Sequence, residues 1–140
     1  MKSSPGACTL VTGFSHYNLV ADRQLLDDIR RFYIDIVGLQ QGSRPPFKRF
    51  GYWLYAGQQA VLHLTEALPS EERQKITGST FDHVAFTCND IASATARLRT
   101  RGIPYHIDVV PQTGEQQVFF SDPAGNGVEL NGPQGTVASC

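Results

Sequence analysis

The chain spells nearly the same pattern twice, and that repetition limits its fold more than any other feature. Residues 14–20 read Phe-Ser-His-Tyr-Asn-Leu-Val and residues 81–87 read Phe-Asp-His-Val-Ala-Phe-Thr, so His16 and His83 stand 67 positions apart in matching strand-like runs. Each run leads into a helical pattern. In the first, Leu26, Ile29, Phe32, Tyr33 and Ile36 recur at helical spacing across about Arg23 to Val37, and Gly38 follows as a stop. In the second, Ile91, Ala94, Thr95 and Leu98 mark the inner face of a helix over about Ile91 to Thr100. Asn89 or Asp90 can cap its start, and Gly102 ends it. Strand signals come next in both halves. Tyr52–Tyr55 and Ala60–Leu64 flank a turn at 56–59, and Gln117–Phe120 and Val128–Leu130 flank a Pro- and Gly-bearing turn at 122–127. His63 and Glu129 both fall in the last strand of their half, 66 positions apart. Two independent pairs thus repeat at almost one offset, which predicts an internal duplication of about 66 residues, with the polar stretch Pro69–Thr80 as its linker. Neither half is long enough to bury a good core alone, so the two are expected to pack as one domain.

The repeated positions carry chemistry. Alternate residues of a strand face the same side. His16 therefore shares a face with Phe14 and Asn18, and His83 with Phe81 and Ala85. Glu129 is flanked by Val128 and Leu130, and His63 by Leu62 and Leu64. An imidazole or carboxylate set among apolar strand residues is costly to bury unless paired or coordinated, and a divalent cation satisfies both. A lone strand histidine is more often a hydrogen-bonded core or surface residue, and a lone glutamate in a terminal strand usually faces solvent. The repeat shifts that balance, because four metal-competent residues occupy two matched positions in two matched strands. Imidazole with carboxylate suits Zn, Fe, Mn or Ni, and spacing does not choose among them.

Composition narrows the setting. With 41% apolar and 18% charged residues in 140, the chain reads as an ordinary globular domain and not as a disordered one. A net charge of -1 without a lysine/arginine block leaves no visible footprint for nucleic acid or an anionic membrane. Cys8, Cys88 and Cys140 are odd in number and lack a CxxC, which argues against a disulfide framework or a cysteine zinc site. Cys88 is expected to pack as a small apolar residue, and the other two to be inert. The first ten residues lack the apolar run of a signal peptide, and no stretch approaches the roughly 20 apolar residues of a membrane helix. A reduced, cytoplasmic setting is the expectation. His106, in a polar strand, is expected at the surface. The loop Arg44–Phe50 combines three positive charges with two phenylalanines ahead of an aromatic strand. It reads either as a solvated loop with core aromatics or as the rim of a pocket that selects an anionic or aromatic ligand. Asn18, Phe47, Arg49, Trp53 and Phe119 are the candidate pocket residues.

From about Thr12 to Pro133 the chain resembles the vicinal oxygen chelate superfamily, which includes glyoxalase I, bleomycin-resistance proteins, fosfomycin-resistance transferases and extradiol dioxygenases. The most specific match is Phe120-Ser121-Asp122-Pro123-Ala124-Gly125-Asn126-Gly127-Val128-Glu129-Leu130, which is similar to the family ending F-x-D-P-x-G-x-x-x-E-L. Phe32-Tyr33 with Val37-Gly38-Leu39 is like the family's helix end. The resemblance implies an α+β fold of two tandem βαβββ modules, about 12–68 and 80–133, forming a half-open barrel, with tails at 1–11 and 134–140. It implies a divalent metal held by His16, His63, His83 and Glu129, and a small substrate with neighbouring oxygens. It also implies a homodimer, in which modules from two chains can complete one barrel.

Departures bear on the activity. Glyoxalase I carries Glu where His63 stands and an Arg where this chain has Val20. Extradiol dioxygenases and fosfomycin transferases carry a Tyr where Phe119 stands, and the transferases' upstream Lys has no counterpart here. Bleomycin-binding proteins lack the ligands. The resemblance thus implies lyase or isomerase chemistry by enolisation, with Glu129 as the catalytic carboxylate. The alternatives are an extradiol-type dioxygenase, should His63 not be a ligand, and a non-catalytic protein that sequesters a small molecule.

Overall fold

Each half of the repeat folds as β-α-β-β-β. The computed structural model describes residues 10–73 and 78–133, so Cys8, Cys140 and four residues of the expected linker lie outside the described residues. The first module contains β1 (Tyr17–Ala21), α1 (Arg23–Phe32), a π-helical turn (Tyr33–Val37), β2 (Gln40–Gly42), β3 (Gly51–Ala56) and β4 (Gln59–Glu66). The second contains β5 (His83–Thr87), α2 (Ile91–Thr100), β6 (His106–Val109), β7 (Gln116–Ser121) and β8 (Gly127–Gly132). Each builds a four-stranded mixed sheet, ordered β1-β4-β3-β2 and β5-β8-β7-β6.

The duplication holds residue by residue. In the first sheet His63 is paired with Asn18 on one side and Trp53 on the other. In the second, Glu129 is paired with Ala85 and Phe119. Both helices start at an aspartate: Asp22 accepts a hydrogen bond from the Leu25 amide at 2.9 Å, and Asp90, rather than Asn89, accepts one from Ser93 at 3.0 Å. The two first strands begin later than residues 14 and 81, so His16 sits just ahead of β1 and His83 opens β5. The first helix also departs from a single α-helix to Val37. After Phe32 it widens, and the Gly38 amide reaches back five residues to the Tyr33 carbonyl at 3.0 Å. The β-branched run Ile34, Ile36, Val37 favours the α-helix weakly, and the wider turn buries Tyr33 and Ile36 together.

One continuous core joins the modules. Leu54, Leu62 and Leu64 from the first sheet, Val118, Val128 and Leu130 from the second, and Leu26, Ile29 and Leu98 from the helices are all buried in it. The Phe32 ring lies 5.9 Å from the Phe120 ring across the module boundary. Beside it the Tyr33 hydroxyl donates to Asp122 Oδ2 at 2.7 Å, a bond spanning 89 residues of sequence. Asp122 is buried, and its Oδ1 also accepts from the Ala124 and Asn126 amides at 2.9 Å, which holds the β7–β8 turn. Low surrounding polarity keeps both tyrosines near the junction protonated: burial raises the Tyr17 and Tyr33 hydroxyls above the ordinary tyrosine value. Among the described residues no helix is long and apolar enough to cross a membrane.

Removing the Asp122 carboxylate would strand four buried donors, the Tyr33 hydroxyl, the Ala124 and Asn126 amides and the Asn126 side-chain amide, whereas removing the Tyr33 hydroxyl leaves Asp122 still bonded to the turn. Asp122→Ala should therefore destabilise the fold by about 3 kcal/mol and Tyr33→Phe by about 1.5 kcal/mol. Urea unfolding at 25 °C reads both, and equal losses would mean that the turn bonds contribute nothing.

Candidate metal and substrate site

The alternation that buries Leu62 and Leu64 turns His63 to the other face of its sheet, and the alternation that buries Val128 and Leu130 turns Glu129 likewise. The four candidate ligands therefore lie on the two sheet faces directed away from the shared core. They come together as two pairs. His16 and His63 stack with ring centroids 3.6 Å apart and a 14° angle between planes. His83 Nε2 lies 3.0 Å from Glu129 Oε1. The two pairs do not meet within one chain: among the described residues no group of three or more His, Cys, Asp or Glu is placed to share a metal ion.

The first pair belongs to an aromatic wall. His63 is sandwiched between His16 and Trp53, whose ring lies 4.1 Å away at 11°. His16 Nδ1 is 2.8 Å from the Ser15 hydroxyl, which leaves Nε2 as its other nitrogen. Burial first, then the neighbouring His16, lowers the His63 pKa and favours the neutral imidazole that a metal needs. A cavity of about 330 Å³ opens over this wall, and Asn18, Phe47, Arg49 and Trp53 all line it beside His63, Arg44 and Lys48. Four of the five expected pocket residues are thus brought together. Arg49 is the least available of them, since it donates to the Glu66 carbonyl and pairs with Glu71 at 2.7 Å.

The second pair belongs to an acidic wall. Glu129 is only 4% exposed, and every oxygen of it is engaged: Oε1 faces His83, while Oε2 accepts from Gln117 Nε2 at 3.2 Å and Asn131 Nδ2 at 3.0 Å. His83 carries a carboxylate at each nitrogen, with Asp82 Oδ2 2.7 Å from Nδ1. The Asp82 contact leads in raising the His83 pKa, with Glu129 adding to it, because imidazolium can donate to both. Gly127 permits this arrangement. A Cβ there would lie 2.2 Å from the Asp82 carbonyl oxygen, so only glycine lets β5 start this close to β8. Phe119, the fifth expected pocket residue, sits here, its ring edge-on to His83 at 5.6 Å. His106 is exposed as expected, yet its ring stacks on Phe119 at 4.9 Å, on this same wall.

Asp82, Gln117 and Asn131 were not among the expected site residues. Each had a signal of position: Asp82 directly precedes a candidate ligand, Asn131 stands two residues after Glu129 on its strand, and Gln117 two residues before Phe119.

Comparison with known proteins agrees with this architecture. The family model described as Glyoxalase/Bleomycin resistance protein/Dioxygenase superfamily matches residues 13–130. The uncharacterized protein YaeR of Escherichia coli K12 is 28% identical over 106 residues, covering 72% of this chain and 82% of YaeR. A crystal structure of a glyoxalase family protein from Bacillus anthracis superposes with a TM-score of 0.70 at 23% identity, covering 91% of this chain and all of that one. The lactoylglutathione lyase of Agrobacterium tumefaciens gives a TM-score of 0.61 at 25% identity, covering 89% and 96%.

The two walls should titrate in opposite directions in the metal-free protein. The His83 pKa is raised, so its contribution to stability is complete below the ordinary histidine value and is lost as pH rises through the raised one. The His63 pKa is lowered, so folding favours its neutral form and acidification costs stability there. Ring proton shifts in NMR should place the His83 midpoint above the His63 midpoint. Asp82→Asn should bring the first down and leave the second in place; an unmoved His83 midpoint would remove the Asp82 contact from the account.

Proposed function

This chain belongs to the Glyoxalase/Bleomycin resistance protein/Dioxygenase superfamily, and on that footing we propose that it is a metal-dependent enzyme acting on a small substrate with neighbouring oxygens. The observation that carries this reading is Glu129, a buried carboxylate between the apolar Val128 and Leu130, 3.0 Å from His83 Nε2. A proton between those two atoms stands where a divalent cation would bind, and the donor types suit Zn, Ni, Fe or Mn. Asp82 holds the far nitrogen of His83, the orientation that carboxylates give to ligating histidines.

The complete ligand set would be assembled from two chains, with His16 and His63 of one facing His83 and Glu129 of the other. Two features favour this. The ligand-bearing faces turn away from the core inside each chain, and the matched Phe14 and Phe81 are 68% and 48% exposed beside them. We therefore expect a homodimer with two equivalent sites.

The reaction favoured is lyase or isomerase chemistry by proton transfer next to a carbonyl. When bound, the cation would act as a Lewis acid that stabilises negative charge on the paired substrate oxygens. Glu129 supplies the carboxylate that takes a proton from the adjacent carbon and returns it one position along. Gln117 and Asn131 keep its second oxygen oriented for that exchange. Lactoylglutathione lyase chemistry in the Agrobacterium tumefaciens protein is of this class, and the hemithioacetal of methylglyoxal and glutathione is the first substrate to try. Oxygen activation is less favoured because Phe119 offers no acid or base. A second reading, sequestration of a flat ligand, draws on the His16–His63–Trp53 stack; a purified protein that takes up no metal would support it. With Cys88 a free thiol, a reduced cytoplasmic setting fits either.

Complementation between variants tests the shared site. His63→Ala and Glu129→Gln should each lose metal after dialysis by orders of magnitude in affinity. Mixed in equal amounts after unfolding and refolding, they should regain about one quarter of the sites, since half of the dimers are mixed and each mixed dimer has one intact site. No recovery in a protein that is dimeric by light scattering would place the site within one chain or nowhere.

A further inference from the structure

We propose that the cavity over the first sheet is an anion subsite, which holds the negatively charged head group of a planar or aromatic substrate between Arg44 and Lys48. Its place beside the metal rests on the function proposed above, whereas its preference for anions does not.

The argument begins with charge. The cavity is lined by Arg44, Lys48 and Arg49, together with Phe47, Trp53 and His63, and no carboxylate lines it. Arg49 is committed elsewhere, to Glu71 at 2.7 Å and to the Glu66 carbonyl. The other two cations lack a carboxylate partner among the described residues. Arg44 makes one hydrogen bond, from Nη2 to the Arg49 carbonyl at 2.9 Å. Its Nε is buried without a partner. With no carboxylate beside it, the guanidinium that lines the cavity keeps donor capacity beyond that one bond, and an anion is the partner that satisfies a guanidinium best. Lys48 lines the same cavity, is exposed, and adds a second charge.

The walls select shape as well. The Arg44 guanidinium lies 4.9 Å from the Phe47 ring centroid, and Phe47 in turn lies 6.1 Å from Trp53, tilted by 43°. Trp53 already stacks on His63, so a planar group resting on these rings is carried to the candidate ligand pair. A volume of about 330 Å³ is near the lower limit for small-molecule sites and admits a single ring with its head group. Two cations in so small a hollow do not make a track for nucleic acid, which needs charges spread along a groove.

The chain has one tryptophan, Trp53, so its fluorescence reports on the aromatic wall that this cavity opens over. Protein stripped of metal with EDTA is titrated with benzoate, with phenylphosphonate and with benzyl alcohol, the neutral counterpart. A saturable change with one or both anions, at a Kd at least tenfold below that of the alcohol, is the expected result, and the tighter of the two identifies the head group. Arg44→Gln should weaken anion binding about tenfold and leave the alcohol unaffected. Lys48→Gln, at an exposed position that the fold does not need, should do the same to a smaller degree. Equal affinity for the anions and the alcohol would overturn the proposal, as would anion binding indifferent to both substitutions. The metal content of the same preparations separates the two readings. Anion preference in a protein that never takes up metal would remove the metalloenzyme and keep the subsite. Metal uptake without anion preference would do the reverse.

Discussion

The bond from Tyr33 to Asp122 sets the arrangement on which the rest depends. It fastens the end of the first module's helix to the β7–β8 turn of the second, inside a core that both modules share. A tie at that point forces the helical sides of the two modules together. The opposite faces of both sheets are then left outward, and those faces carry every candidate ligand. The same aspartate that shapes a turn in one module therefore determines where the polar chemistry of both can go. Its position in the motif next to Gly127 and Glu129 links packing and site within eight residues of chain.

The two outward walls differ in a way that duplication alone does not explain. Matching positions hold His63 in one sheet and Glu129 in the other, Trp53 in one and Phe119 in the other, Asn18 in one and Ala85 in the other. The first wall holds stacked imidazole and indole rings and cations. The second holds carboxylates, amides and a histidine that carries a raised pKa. Opposite character at matched positions is what two surfaces need if they are to face each other across one ion, since like walls would repel.

Much of this could be read before any coordinates. The modules, the helix stops at Gly38 and Gly102, the strand pairs and the face shared by each ligand with its neighbours follow from period and punctuation, and these are local properties. The repeat groups His16, His63, His83 and Glu129 as one set; their division into two pairs comes from the first and last strands of each module lying side by side. What could not be read is the direction in which each ligand face turns. Alternation assigns residues to a face, but which faces meet is decided by long-range packing, here by Tyr33, Phe32 and Phe120. The widening of the first helix after Phe32 was hidden for a similar reason, because its apolar spacing fits an α-helix well enough. Arg49 was singled out for its charge, and only the structure reveals that Glu71 takes up that charge and leaves Arg44 as the guanidinium lining the cavity without a carboxylate partner.

The duplication itself has a consequence for stoichiometry. A single chain carries one wall of each kind, covalently joined, so synthesis always delivers the two kinds in a one-to-one ratio. Were the modules separate polypeptides, any imbalance in their production would leave surplus walls exposed, with their phenylalanines and unpaired charges in water. Fusion removes that hazard. In the homodimer proposed above every basic wall would face an acidic one, and unmatched walls would exist only at the ends of an assembly that fails to close.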